Sequence, residues 1–368
     1  MKKQRSTRAA LVRFAQVATA SAAFALIAAC GGGGDDNNST PAGGVKLQVV
    51  SFGDSLSDVG TYAPVAAANF GGGRFTTNPG QVWVQNVAQY YGDTLTPAMT
   101  GGFGVAPQTQ SGLGYAQGGS LVTNPIGINH VSNDPANYTG ALTVPIVQQV
   151  TNYLTSHGSF NSGQLVIVNG GGNDILYNFQ LAVAGAITPA QASAAIGKAA
   201  IDLAGVIGKI VQSGATHVLV SNVPDIGTTP QGMMVSAANR ALLTQASLGF
   251  NQALAAALTQ SGLMSKVIYL DIVPVLANVT ANFAQFGFTV SNTGTACNLQ
   301  AMAAAAQKFG EPNPQAFATS LFCSPETLTV AGADQTYMYA DTVHPTTHLG
   351  ALYAQAAEQV VAKSGLGK

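Results

Sequence analysis

A serine placed where an apolar strand has to turn is the strongest chemical signal in the chain. Phe52-Gly53-Asp54-Ser55-Leu56-Ser57-Asp58 follows Val45-Lys46-Leu47-Gln48-Val49-Val50, which reads as a buried parallel strand, and Gly53 with Asp54 breaks it. Open α/β sheets place their active sites just past the carboxyl ends of strands, which makes the Ser55 hydroxyl a candidate nucleophile. Gly, Asp and Ser are also turn formers for conformational reasons alone, so one such tripeptide decides little. A serine nucleophile needs a base within hydrogen-bond reach. Asp341-Thr342-Val343-His344 supplies one of only five histidines in the chain, although an isolated Asp-x-x-His reads first as a helix N-cap with a capping neighbour.

Two further blocks lie between these, Gly114-Tyr115-Ala116-Gln117-Gly118-Gly119-Ser120 and Val168-Asn169-Gly170-Gly171-Gly172-Asn173-Asp174. In this order the four resemble the motif blocks of the SGNH (GDSL) hydrolase superfamily, from about Lys46 to the C-terminus. Arg74-Phe75-Thr76-Thr77-Asn78 leading to Val82-Trp83, and Asn222-Val223-Pro224-Asp225-Ile226-Gly227, are similar to segments of its secreted bacterial esterase and phospholipase branch. The resemblance implies a serine-dependent carboxylic ester hydrolase with Ser55 as nucleophile and His344 as base. Asp341 would fix the imidazole tautomer and stabilise the imidazolium. It also implies oxyanion donors at the backbone of Ser55, at the backbone of Gly118 or Gly119, and at the side-chain amide of Asn173. Block alignment favours Gly119 over Gly118. No cofactor is implied. Phospholipases, acyltransferases and carbohydrate deacetylases share the same four blocks, so the substrate stays open among acyl esters and lipids. A catalytically silent surface-binding lipoprotein on the same scaffold is the non-enzyme alternative.

The first 29 residues read as an export signal. Lys2, Lys3, Arg5, Arg8 and Arg13 form a positive start, and Phe14 to Ala29 is an Ala-rich apolar stretch too short for a stable span. Leu26-Ile27-Ala28-Ala29-Cys30 resembles a bacterial lipobox, which makes Cys30 the expected lipidation site and new N-terminus. Glycine at position 31 favours the outer membrane, and residues 30–44 read as a flexible tether. Removing the signal leaves nine basic against 15 acidic residues, a net charge of −6, which excludes a nucleic-acid footprint. In an exported chain the remaining Cys297 and Cys323 are expected to pair as a disulfide. They lack CxxC spacing and His130, His157 and His217 are scattered, so no metal site is expected.

Residues 45–368 read as one elaborated domain. Gln164–Asn169, His217–Ser221 and Lys266–Leu270 are further buried strands, alternating with helix patterns over 189–212, 236–258 and 345–363. The class is α/β, and with the resemblance a flavodoxin-like three-layer α/β/α sandwich with a central parallel sheet. The second strand of that sheet has no visible pattern, though 82–89 reads as the helix before it. Residues 94–137 and 272–339 read as irregular insertions of the kind that wall a cleft. Asp54 and Asp58 are read as loop and helix-capping groups rather than a metal pair, Asp174 as a brace for the Asn173 loop, Trp83 as core and His348 as structural or a cleft wall.

A cysteine that carries the anchor has a direct readout. Labelled fatty acid should be incorporated into the wild-type chain expressed in a bacterial host and vanish in Cys30→Ala; incorporation that persists would refute the assignment.

Overall fold

The computed structural model describes residues 40–131, 139–308 and 314–368. The expected signal, the Cys30 lipidation site and the tether as far as residue 39 lie outside the described residues. The last residues of that tether are fastened to the domain: Gly43 donates its N–H to the Tyr90 carbonyl at 2.8 Å and accepts from the Lys368 N–H at 2.9 Å.

The strands are β1 (Gln48–Phe52), β2 (Met99–Gly102), β3 (Val105–Thr109), β4 (Gln164–Val168), β5 (Val218–Ser221) and β6 (Ile268–Leu270). The helices are α1 (Ala63–Phe70), α2 (Trp83–Tyr90), α3 (Ile146–His157), α4 (Gly172–Val183), α5 (Pro189–Gln212), α6 (Pro230–Met234), α7 (Ala237–Gln260), α8 (Ile272–Ala281), α9 (Leu299–Lys308), α10 (Ala333–Thr336) and α11 (Thr347–Lys363). Strands β1, β4, β5 and β6 pair in that order, all parallel, and β2 with β3 forms a separate antiparallel hairpin.

Side chains alternate across a strand, and here both sets are apolar. Val50, Phe52, Val166, Val168, Val218 and Val220 face one core with α3, α4, α5 and α7. Val49, Leu165, Ile167 and Leu219 face the other, against α2 and α11. Burial on both faces is why these strands read as continuous apolar runs, and the result is the three-layer α/β/α sandwich that the sequence led us to expect. Helix boundaries follow local chemistry. Thr188 accepts from Gln191 N–H while Gln191 Oε1 accepts from Thr188 N–H, a reciprocal cap with Pro189 at the first helical position.

The unseen second strand is a ribbon of three residues. Ser51 N–H donates to the Leu113 carbonyl at 3.1 Å and Tyr115 N–H to the Ser51 carbonyl at 2.8 Å, on the free edge of β1. A Cβ on Gly114 would stand 2.4 Å from Val59, so close packing keeps this strand glycine-bearing and without an apolar run. The 94–137 insertion also contains the β2–β3 hairpin, and 272–339 contains α8, an apolar run with a proline in its first turn, and α9, whose period is masked by an Ala-rich sequence.

Cys297 and Cys323 are disulfide-bonded. Cys297 N–H also donates to the Ala340 carbonyl at 2.9 Å, so the bond ties Ser320–Cys323 to the stretch just before Asp341. The cysteines lie 26 residues apart, and closing a loop of that size stabilises by roughly 3 to 4 kcal/mol on the chain-entropy account. Unreduced protein should show no alkylatable thiol at either position. A Cys297→Ala/Cys323→Ala double variant should lose a comparable amount of stability by urea unfolding, and an unchanged midpoint would show the bond to be energetically idle.

Candidate active site

Strands β1, β4 and β5 end at one cleft, as the parallel topology requires. After β1 the chain enters a single 3-10 turn, Ser55–Ser57, capped by Asp54, whose Oδ1 accepts from Leu56 N–H at 3.1 Å. Gln149 from α3 holds the turn from behind, accepting from Gly53 N–H at 2.9 Å and donating to the Gly53 carbonyl at 2.8 Å. Asn169 at the end of β4 donates to Asp54 Oδ1 at 3.0 Å and accepts from the Ser57 hydroxyl. Ser55 is thereby fixed with its side chain in the cleft.

Across the cleft, the loop before α11 brings His344 Nε2 to 2.7 Å from Ser55 Oγ, and His344 Nδ1 to 2.7 Å from Asp341 Oδ2. With Nδ1 facing a carboxylate, the ring proton belongs there, and Nε2 is left to accept from the serine hydroxyl. Asp341 is buried, which works against its charge. The neighbouring His344 imidazole and hydrogen bonds from its ring and from Val343 and Ser320 N–H outweigh that burial and hold its carboxyl well below the usual range. The Phe75 ring lies 5.0 Å from the imidazole, centroid to centroid, and limits its rotation.

Asp58 separates the two glycines. Gly118 N–H donates to Asp58 Oδ2 at 2.8 Å and is therefore occupied, while Gly119 N–H and Ser55 N–H have no hydrogen-bond partner among the described residues and both residues line the cleft. Gly119 also has φ +82°, and a Cβ there would sit 2.3 Å from the Ile128 carbonyl, so only glycine presents its N–H in this direction. Asn173, in the first turn of α4, donates one amide N–H to the Ser120 carbonyl at 2.9 Å and also lines the cleft. Two backbone donors and an amide thus belong to the lining of the cleft that holds Ser55 Oγ, the kind of groups a developing oxyanion needs.

Several supports carry no signature that sequence reading could find. Ser320 and Gln149 act on Asp341 and Gly53 from 21 and 96 residues away. Asn78 donates to the Arg74, Thr76 and Ser320 carbonyls, while Thr76 Oγ1 donates to the Pro345 carbonyl at 3.0 Å, so the Arg74–Asn78 block braces the His344 loop. His348 lies outside the cleft lining, bonded to the Gln335 carbonyl and packed on Phe288. Trp83 is core, stacked on Tyr353. The cleft walls are mostly apolar, with Phe75, Phe103, Ile128, Leu176, Ile226 and Phe322 prominent, and no Lys or Arg is among the described residues that line them.

A family model described as GDSL-like Lipase/Acylhydrolase matches residues 49–357. Among curated proteins the chain is similar to two called Esterase EstA, one from Pseudomonas aeruginosa and one from Pseudomonas putida. Each is 25% identical over 277 residues, covering 71% of this chain and 41% of the relative. The chain thus matches about two fifths of the length of these curated relatives.

Asp174 behaves oppositely to Asp341. Its carboxyl accepts from Val122 N–H at 3.1 Å, which braces the Ser120–Val122 stretch rather than Asn173 directly. Burial, outweighing that bond and reinforced by Asp54 and Asp202, pushes it up to about 7. An unfolded aspartate ionises near ~3.9. Between that value and about 7 the unfolded chain has lost this proton while the folded one keeps it, so stability falls as pH rises through the window and levels off above it. Asp174→Asn keeps an acceptor for Val122 without the titration. Its stability relative to wild type, from urea midpoints, should therefore improve from pH 4 to pH 7 and then stay level; a pH-independent difference would count against a protonated Asp174.

Proposed function

Since the chain belongs to the GDSL-like lipase/acylhydrolase family by its match over residues 49–357, we propose that it is a serine-dependent carboxylic ester hydrolase. The observation that carries this reading is the continuous line Asp341–His344–Ser55, at 2.7 Å for each link, opening onto free N–H donors of Ser55 and Gly119. Ser55 Oγ attacks the ester carbonyl as its proton passes to His344 Nε2. Asp341 stabilises the imidazolium, and the carbonyl oxygen gathers charge facing Ser55 N–H, Gly119 N–H and the Asn173 amide. Collapse returns the proton to the departing alcohol and leaves an acyl group on Ser55. Water activated by His344 then releases the acid by the same steps in reverse. Every proton transfer is internal to these side chains and water, so the cycle calls for no cofactor.

The apolar walls favour an ester with a hydrocarbon acyl group. A phospholipid phosphate would find no Lys or Arg among the described lining residues. These observations put acyl esters of uncharged alcohols ahead of phospholipids, with acyl transfer and carbohydrate deacetylation as the alternatives the test below separates. Anchoring through Cys30 to a bacterial outer membrane is part of the same proposal.

A panel of acyl esters of increasing chain length, with a phospholipid and an acetylated sugar included, tests the reading. Turnover should be highest on simple esters and abolished in Ser55→Ala. Asn173→Ala should lower kcat by ~10²- to 10³-fold with little change in KM, because a contact made in the transition state is lost. A well-folded wild type inert on the whole panel would favour the silent surface-binding alternative, and a normal kcat in Asn173→Ala would leave that side chain only the Ser120 carbonyl to hold.

A further inference from the structure

Three segments that line the cleft also carry exposed apolar side chains at its edge. Ile126 lies two residues before the lining residue Ile128, and Val183 one turn beyond Gln180 on α4. Met233 and Met234 follow Gln231 on α6. Val183 is 58% exposed and Met234 76%, far from core values. The surrounding sequence is nearly devoid of charge: residues 119–131, 175–197 and 226–265 contain no Asp, Glu or Lys and a single arginine, Arg240. Its guanidinium lies 3.3 Å from the Met233 sulfur. Solvated protein surfaces carry roughly a quarter to a third charged residues, so a rim with one arginine and protruding methionines is a surface built to be covered.

We propose that this rim docks on the uncharged surface of an aggregated ester, a droplet or neutral lipid layer whose acyl chains pass directly into the cleft; the proposal rests on the ester-hydrolase reading above. The position of the rim selects this occupant. A second copy or another protein seated there would stop the mouth that the rim surrounds, whereas a substrate surface fills it. Continuity of the apolar rim with the mostly apolar cleft walls lets a chain move from one to the other along apolar side chains. A neutral rim complements a neutral surface, so adsorption should be indifferent to salt, unlike the screened attraction of a basic patch for anionic lipid.

The experiment uses the chain carrying Cys30→Ala, so that no lipid anchor contributes, with and without Val183→Gln/Met233→Gln/Met234→Gln. Flotation with long-chain triacylglycerol droplets is measured at low and high salt. Turnover of a short-chain triacylglycerol is followed below and above its solubility limit, and melting temperature serves as the folding control. The triple variant should lose droplet binding and emulsion turnover by about tenfold or more, at either salt concentration, while its rate on dissolved ester stays within about twofold. Unchanged flotation, or dissolved and emulsified rates that fall together, would overturn the proposal. So would a wild-type dimer that the variant converts to monomer, since the rim would then be covered by a second copy. If no ester is turned over but flotation is still lost in the variant, the docking surface stands and the hydrolase reading fails.

Discussion

Much of the late chain is arranged so that one buried carboxylate can stay charged. Asp341 accepts from Ser320 N–H, Val343 N–H, His344 N–H and the His344 ring. An ionised carboxylate taken out of water is costly without such donors. Bringing them together requires that Ser320 and Asp341, 21 residues apart, be held at 2.7 Å. The Cys297–Cys323 bond, the pairing of Cys297 with Ala340 and the grip of Asn78 on the Ser320 carbonyl all act on that distance. The orientation of His344, and through it the readiness of Ser55, is downstream of this convergence.

Asp54, Asp58 and Asp174 show what happens to carboxyls around the same cleft when burial prevails. All three are pushed upward by desolvation, even though Asp58 accepts from the backbone of Gly60, Thr61 and Gly118. Backbone donors, joined at Asp54 by the Asn169 amide, do not offset burial at these positions. Asp341 differs in having an imidazole on it, and that partner turns the balance. The site thus separates acids that brace loops from the one acid that must carry a charge.

How much could be read beforehand follows from which features impress themselves on residue type. The central strands are buried on both faces, so every position had to be apolar, and their runs are plain in the sequence. The residues of the proton relay and its donors fall in motif blocks because few side chains can do that chemistry. The edge ribbon at Leu113–Tyr115 escaped detection because two hydrogen bonds and a glycine sustain it. Helix α4 was hidden because it begins inside a glycine run that reads as a turn. The choice between Gly118 and Gly119 could not be made from their own identities, since it is decided by a demand of Asp58 from 60 residues away. Gln149 and Ser320 were missed for a related reason: a buried amide or a backbone N–H can brace a distant loop from any sequence context.

The bond between Lys368 N–H and the Gly43 carbonyl, with the Tyr90 hydroxyl on the Lys368 carbonyl, brings the two ends of the described domain side by side. The backbone from Gly43 to Lys368 is therefore nearly a closed ring. Ser55 and His344, 289 positions apart along the chain, are close neighbours by the short way round. Joining the ends and opening the ring in a surface loop would turn the longest contact of the site into a local one. Because loop closure and contact order govern how quickly such contacts form, the circularly permuted chain would form this contact early, at the expense of contacts that span the new opening.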